Sequence, residues 1–492
     1  MKLGKNSLFL IIIGFALFLL KPETVQAQLA GTNLSEFQLG NLPGEEPKSL
    51  SSLYNQLNLT YRQKNLLVKT KIEGFYPSVG DNRSYTSLSQ YSIQYADKGL
   101  KIQAGTLYQT IGRGLLLRSY EQPSAIWESR GYRVRYGFHK DLQGVAASYT
   151  NNKLKIKLLR GRVLAVDLPP TLSQIERRPD LVEGGEFNYT LKDQTLGIAY
   201  IRHTNGDNTG HFLTAYADGF YKSVSYYGEF AFGADEARAA YGGLSYSNSS
   251  LGLSLEYKDY NNFLIGAGIN DPPTLVKEHS SRLLNRSTHV PLLRNESGYQ
   301  IELSYAFKNS SQLTLNHSLA QNKFSPELEF IFHEYYIDYT KYFGESIYSK
   351  IFVDFAIDPF TGEKQRYTGG FIIEKEFSEY TGGLDLEVQA VQRDFGIIEN
   401  FQNLYAGLSL NKGSKFGASV LIEASNDSFL KESDDEANWQ FYPGIILNYK
   451  PVQSTIISLF AGKRRGGPAC NSGVCYDVLD FQGIELRLST TF

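Results

Sequence analysis

The last twelve residues, FQGIELRLSTTF, restrict the fold more than any other stretch. Counting back from Phe492, Thr490, Leu488, Leu486 and Ile484 share one side, and Thr491, Ser489, Arg487, Glu485 and Gly483 share the other. A period of two with one apolar and one charged face is a half-buried strand. Two environments accept it. In a soluble sandwich the apolar face meets a second sheet; in a transmembrane barrel it meets lipid, and the polar face lines a wet lumen.

Recurrence and turn length decide between them. KLKIKLL sets Leu154, Ile156 and Leu158 against Lys153, Lys155 and Lys157, and LGLSLEYK sets Leu251, Leu253, Leu255 and Tyr257 against Gly252, Ser254, Glu256 and Lys258. LNLTYRQK from Leu57, LLVKTKIEGF from Leu66, YQIELSYAF from Tyr299 and GGLDLEVQA from Gly382 repeat the design. No run of helical period follows the N-terminus. From Asp141 onward, tight turns near Asn151, Asp193, Asn248, Asn309, Lys412 and Pro451 alternate with longer loops. Those loops are Val163 to Gly184, Asn205 to Gly210, Asn261 to Ser297, Pro359 to Gln365, Asp427 to Ala437 and Lys463 to Tyr476. Short turns at one end and long loops at the other are the habit of membrane barrels. Before Asp141 the alternation breaks, because Tyr76 to Thr86 and Tyr108 to Arg130 are both long. Further crossings are therefore expected in GTNLSEFQL, from Gly31, and in IGRGLLLR, from Ile111. The expected fold is all-β, a single large transmembrane antiparallel barrel of roughly 24 to 26 strands.

Composition agrees. There are 34 Tyr, 30 Phe and 45 Gly but one Met, which suits strands and a membrane–water boundary. A mean hydropathy of −0.29 excludes a bundle of transmembrane helices but not a barrel, whose strands are half polar. At the N-terminus Lys2 and Lys5 precede an apolar run from Leu8 to Leu20, followed by Val25-Gln26-Ala27. The run is shorter than the ~20 residues a spanning helix needs. Residues 1–27 therefore read as a cleaved signal peptide rather than an anchor, leaving 28–492 as the barrel. The formal charge of −2 becomes more negative by two when the signal's three Lys and one Glu are removed, which gives no basis for nucleic-acid binding. The two cysteines, Cys470 and Cys475, fall in one loop with no His between Lys463 and Phe492. In an exported chain they read as a disulfide rather than a metal site.

The least barrel-like segment runs from Gly105 to Phe138. It concentrates Arg113, Arg118, Arg130, Arg133 and Arg135 with Glu121, Glu128 and Trp127. In YRVRY both arginines alternate with apolar residues, which would turn them into the lumen. They suit a constriction that selects anionic or polar solute. They also suit Arg–Glu pairs that neutralise a packed lumen, the reading to prefer because wide barrels need such networks to stay shut.

Gly105, Tyr108, Gly112, Gly114, Leu115, Arg118, Tyr120 and Glu121, followed by Gly131, Arg133 and Val134, resemble the motif region of an outer-membrane barrel family of the Bacteroidota. Arg113 and the stretch Gln122 to Ser129 depart from that pattern. Phe492, ending an amphipathic strand, resembles the C-terminal assembly signal of such barrels. The resemblance implies a barrel in the bacterial outer membrane, in contact with its lipid and lipopolysaccharide and with the barrel-assembly machinery. It implies no activity.

Other constellations say less. Arg282, Arg286, His279 and His289, in the loop from Lys277 to Arg294, could meet phosphate or simply be solvated. Asp427, Glu432, Asp434, Asp435 and Glu436 could hold Ca²⁺, but at no EF-hand spacing. The seven His are scattered, with no recognisable nucleophile–base motif, and strand-like sequence starts too early for the plug of a TonB-dependent transporter. No enzyme, cofactor or metal is expected. Two function classes remain: a porin-like channel or transporter for small polar or anionic solutes, and a non-conducting barrel whose outer loops recognise a partner.

Overall fold

The computed structural model describes residues 28–78, 83–129, 133–163, 180–234, 236–266, 269–273, 275–289, 295–325, 328–430, 439–471 and 474–492. Among these, twenty-four strands form one antiparallel sheet. Five run from Gln28–Asn41 to Leu100–Leu107, eight from Leu142–Thr150 to Leu251–Asn261, and eleven from Glu296–Phe307 to Phe481–Thr491. Each pairs with its neighbours, and the last strand pairs with the first from Thr32↔Thr491 to Asn41↔Gln482. The sheet closes on itself. Closure gives every strand two partners, which satisfies backbone groups where no water can.

The side chains are sorted inside out relative to a soluble protein. On the first strand Phe37 and Leu39 are exposed while Glu36 and Gln38 are buried. On the last, Ile484 and Leu486 face outward and Glu485 inward, as the two-residue period predicts. The Lys153/155/157 stripe behaves likewise, with Lys157 buried and Ile156 and Leu158 outside. An apolar exterior around a polar interior has its free-energy minimum in lipid. Exposed Tyr221, Phe307, Tyr342, Phe343 and Phe377 crowd one rim, and Phe232, Phe324, Phe360 and Phe395 the other. These are the positions of the interfacial aromatic girdles.

Eleven connections at the end carrying Phe492 are two or three residues long. Those at the opposite end range from two residues (206–207) to thirty-four (108–141 and 262–295). The parity therefore holds throughout, and its apparent failure before Asp141 is corrected by one hairpin. Strands Tyr85–Asp97 and Leu100–Leu107 are joined by Lys98-Gly99, both at positive φ, and they put both early long segments at the same end. The expected crossing at Gly31 exists, within Gln28–Asn41. The one at Ile111 does not. IGRGLLLR contributes only two-residue strands, Thr110–Ile111 and Leu117–Arg118, which pair with each other. Its consecutive Leu115, Leu116 and Leu117 are all fully buried, a pattern that no strand with one wet face can give.

Candidate functional site: an arginine-lined cavity in a plugged lumen

The two thirty-four-residue connections fold back into the barrel. Gly112 and Gly114, at φ +55° and +98°, turn the first one so that Leu115–Leu117 enter the lumen. There the leucines join Ile269 and Leu275 of the second connection against wall residues Leu142, Val182, Ile201 and Ala239. A Cβ on Gly112 would lie 2.4 Å from the Glu229 carboxylate, which instead accepts a hydrogen bond from the Arg113 amide at 2.8 Å. Glycine is thus required for this approach. The first connection continues as an inner hairpin, Tyr120–Glu128 with Arg135–Lys140. Val134, Tyr136 and Trp127 pack there on Tyr54, Phe75 and Tyr85 of the wall. The second connection carries a short helix, Arg282–Arg286, whose Leu284 packs on Tyr336 and Phe352. The first two amides of that helix, Arg282 and Leu283, each donate to the Glu387 carboxylate at 2.7 Å.

The inner hairpin is not a wall strand, so the expectation that YRVRY alternates between lipid and lumen is corrected: Arg133 to Tyr136, the described part of it, lie inside the barrel. The loop from Lys277 is likewise no solvated loop, since Leu283, Leu284, His279 and His289 are all buried. Arg294 lies outside the described residues, as do residues 1–27, Arg130 and Glu432, Asp434, Asp435 and Glu436. Asp427 is bound by Arg393 at 3.0 Å.

Between the inner hairpin, the short helix and the seam of the barrel lies a cavity of about 290 Å³. Arg133 and Arg135 reach it from the hairpin, Arg282 and Arg286 from the helix, Arg464 and Arg487 from the wall, and Arg465 from the loop that follows. Four carboxylates share the lining, Glu36, Glu128, Asp477 and Asp480, and Glu423 and Glu485 stand behind it. Glu36 is the hub. It pairs with Arg135 and accepts from Arg487 Nε at 2.6 Å. Arg135 also lies 3.7 Å from Glu128, which binds Arg133 Nε at 2.6 Å. Arg464 holds Glu485 at 2.8 Å, and Arg286 and Arg465 converge on Glu423 at 3.1 and 3.4 Å.

The distribution of exposure gives this cavity its sign. The side chains of Glu36 and Glu423 are 0 and 1 % exposed, whereas those of Arg487 and Arg282 are 37 and 38 % exposed. In these two pairs the arginine is the more exposed partner, whereas the side chains of Arg135 and Arg286 are themselves buried. Burial pulls Arg286 down to about 9, against the opposing pull of Glu423. It does the same to Arg135, against Glu485. Both cations are ion-paired all the same, Arg135 with Glu36 and Arg286 with Glu423.

The sequence-predicted residues divide into two groups. Glu128, Arg133 and Arg135 share this cavity. Arg113, Arg118 and Glu121 do not: Arg113 lies over the Tyr227 ring at 4.9 Å, Arg118 faces Asp271 at 3.8 Å, and Glu121 pairs with Lys71. These three fasten the plug. Glu36, Glu423, Arg464 and Arg465 were missed. Glu36 carried a signal in retrospect, a carboxylate amid the alternation of the first strand. The two cysteines oppose each other in the hairpin Gly467–Asn471 with Val474–Val478, where the register pairs Cys470 with Cys475.

A closed barrel with a lipid-facing exterior, a polar wall and inward-folded loops is a porin-like β-barrel of the bacterial outer membrane. The chain belongs to the Family of unknown function (DUF6029), whose sequence profile matches residues 41–492. No curated protein matches it in sequence. Among solved structures it is similar in fold to a chain of the E. coli P pilus tip assembly intermediate PapC-PapD-PapK-PapG, with TM-score 0.54, 10 % identity, 96 % of this chain and 62 % of that one covered. The P pilus usher (PapC) translocation pore matches at TM-score 0.49 and 9 % identity over 94 % of this chain and 99 % of that one. Pseudomonas aeruginosa OccK5 (OpdH) matches at 0.40 and 12 % identity, over 71 and 96 %.

Proposed function

We propose that the protein is a narrow porin-like channel for small anionic or polar solutes, with the arginine-lined cavity as its selective passage. One observation carries this: the side chains of Arg282 and Arg487 line the cavity 38 and 37 % exposed, while their carboxylate partners Glu423 and Glu36 are 1 and 0 % exposed. A low-dielectric wall focuses that positive potential on the solute path. Purified protein in planar bilayers is expected to conduct in small steps with anions preferred, and Arg282→Gln with Arg487→Gln to reduce the preference. A folded protein without conductance would end this reading.

One observation favours a second reading, a non-conducting barrel whose long loops bind a surface partner. The apolar cluster around Leu115–Leu117 fills lumen that an open porin keeps wet. The same bilayer experiment separates the two, and neither reading involves catalysis. The proposal also takes residues 1–27 as a cleaved signal, the long loops as extracellular and in contact with lipopolysaccharide, Phe492 as read by the barrel-assembly machinery, and a Bacteroidota source. Cys470 and Cys475 are proposed to be oxidised to a disulfide, which would lower the intact mass by two hydrogens relative to the reduced chain.

A further inference from the structure

Away from the arginine-lined cavity, the second inward connection touches the wall through two histidines. His289 Nδ1 lies 2.8 Å from Asp358 Oδ2, and its ring stacks on Phe332. His279 Nε2 lies 3.1 Å from Glu334 Oε1, and its ring rests against Tyr336 at 4.8 Å. Glu334 and Asp354 come from adjacent wall strands, Leu328–Phe343 and Ile347–Asp358. In the register Asp354 opposes Tyr336, so the two carboxylates are diagonal neighbours on the inner face. One ligand atom from each of His279, Glu334 and Asp354 lies within 4.8 Å of the other two. All three side chains are at most 2 % exposed.

Hydrogen bonding within the fold leaves this cluster incomplete. Both carboxylate oxygens of Asp354, Oε2 of Glu334 and Nδ1 of His279 are buried without a hydrogen-bond partner. Such orphans cost free energy unless something absent from the polypeptide engages them. Charge points the same way. Glu334, Asp354, Asp358 and Glu363 share this patch, and the only guanidinium or ammonium group within ion-pair distance of them, among the described residues, is that of Arg366. Arg366 is shared among several acceptors. Its Nη1 donates to the Ser287 carbonyl at 2.7 Å and to Glu363 at 3.0 Å, and its Nη2 donates to Glu334 Oε1 at 3.4 Å and lies 3.5 Å from Asp354 Oδ1, so one guanidinium stands against four carboxylates.

We propose that His279, Glu334 and Asp354 bind one divalent transition-metal ion, which clips the inward connection to the barrel wall. One imidazole and two carboxylates are a nitrogen–oxygen donor set that suits zinc and its neighbours better than calcium or magnesium. The 3.1 Å between His279 and Glu334 is close to the edge of about 3.3 Å of a tetrahedron with bonds of about 2.0 Å. The metal replaces a hydrogen bond there and engages Asp354, which now has none. A water completes the fourth position. This site is independent of the channel reading, since a plug can be fastened in a conducting or a closed barrel.

The test uses the full chain, folded in detergent, stripped with EDTA and titrated with Zn²⁺ alone. The wild-type chain is expected to take up one ion. His279→Gln and Asp354→Asn, each checked for the heat-modifiable gel migration of a folded barrel, are expected to bind at least about 100-fold more weakly, since even outer-shell changes cost about 10–100-fold. A stripped wild-type chain that takes up no zinc, or an Asp354→Asn chain that binds it as tightly, would overturn the site. Zinc K-edge absorption of the loaded wild-type chain needs no variant. Nitrogen and oxygen neighbours at about 2.0–2.1 Å are expected, whereas sulfur at about 2.3 Å would place the ion on Cys470 and Cys475 instead.

Discussion

Glu36 shows how much one side chain can decide in a wet lumen with a low-dielectric wall. Its carboxylate is fully buried and shared by Arg135, from the plug, and Arg487, from the last strand. Without it a buried guanidinium loses its nearest anion, and breaking a buried pair costs about 3–5 kcal/mol. Glu36→Ala is therefore expected to lower the unfolding midpoint in denaturant titrations of the detergent-solubilised barrel. Glu36→Gln, which keeps an acceptor, should cost less. Gly112 is the second position where one atom matters. Gly112→Val puts a branched side chain into the Glu229 carboxylate at a positive φ, and it is expected to unseat the leucine turn rather than the barrel. Faster protease cleavage within 108–141, with unchanged gel migration of the folded barrel, would register that difference.

The inner hairpin and the wall strands obey different rules although both are β. A wall strand has lipid on one side, so it must alternate. Val353 is 54 % exposed at the middle of Ile347–Asp358, and Val353→Arg is expected to cost about 2–4 kcal/mol, the range for a cation near the bilayer midplane. The hairpin Tyr120–Glu128 with Arg135–Lys140 is enclosed by protein and needs no such period, and the stretch Arg135–Phe138 is buried at every residue. The plug is also separable from the wall. Leu107 and Leu142 are directly opposed across their two strands, so a four-residue turn can replace 108–141 without breaking the ladder. That deletion is expected to leave a folded barrel whose single-channel conductance is several times larger. Unchanged conductance would mean that 108–141 does not obstruct the path.

For the molecule as a whole, the sign of the passage sets a salt dependence. The Debye length falls from about 10 Å at 0.1 M to about 3 Å at 1 M, so a preference produced by fixed guanidiniums should shrink over that range. Reversal potentials in matched salt gradients would measure it, and a preference indifferent to salt would point to size rather than charge. The same scale explains what could be read in advance. Strand existence, the inward face of Lys157 and Glu485, and the two-ended arrangement of loops were legible because lipid imposes a strict period on every residue that crosses it. The sequence by itself therefore determined a closed, antiparallel, lipid-embedded barrel, and its range of 24 to 26 strands includes the twenty-four of the described sheet. It marked 105–138 as different but not how, because a segment folded inside a barrel touches protein all round and carries no period to read. Only the tertiary structure decided that Arg133 and Arg135 meet Arg464 and Arg487, more than three hundred residues away, or that His279 meets Glu334 and Asp354. Those meetings depend on which wall strands the two inward connections reach, and closure of the ring, rather than any local pattern, sets that.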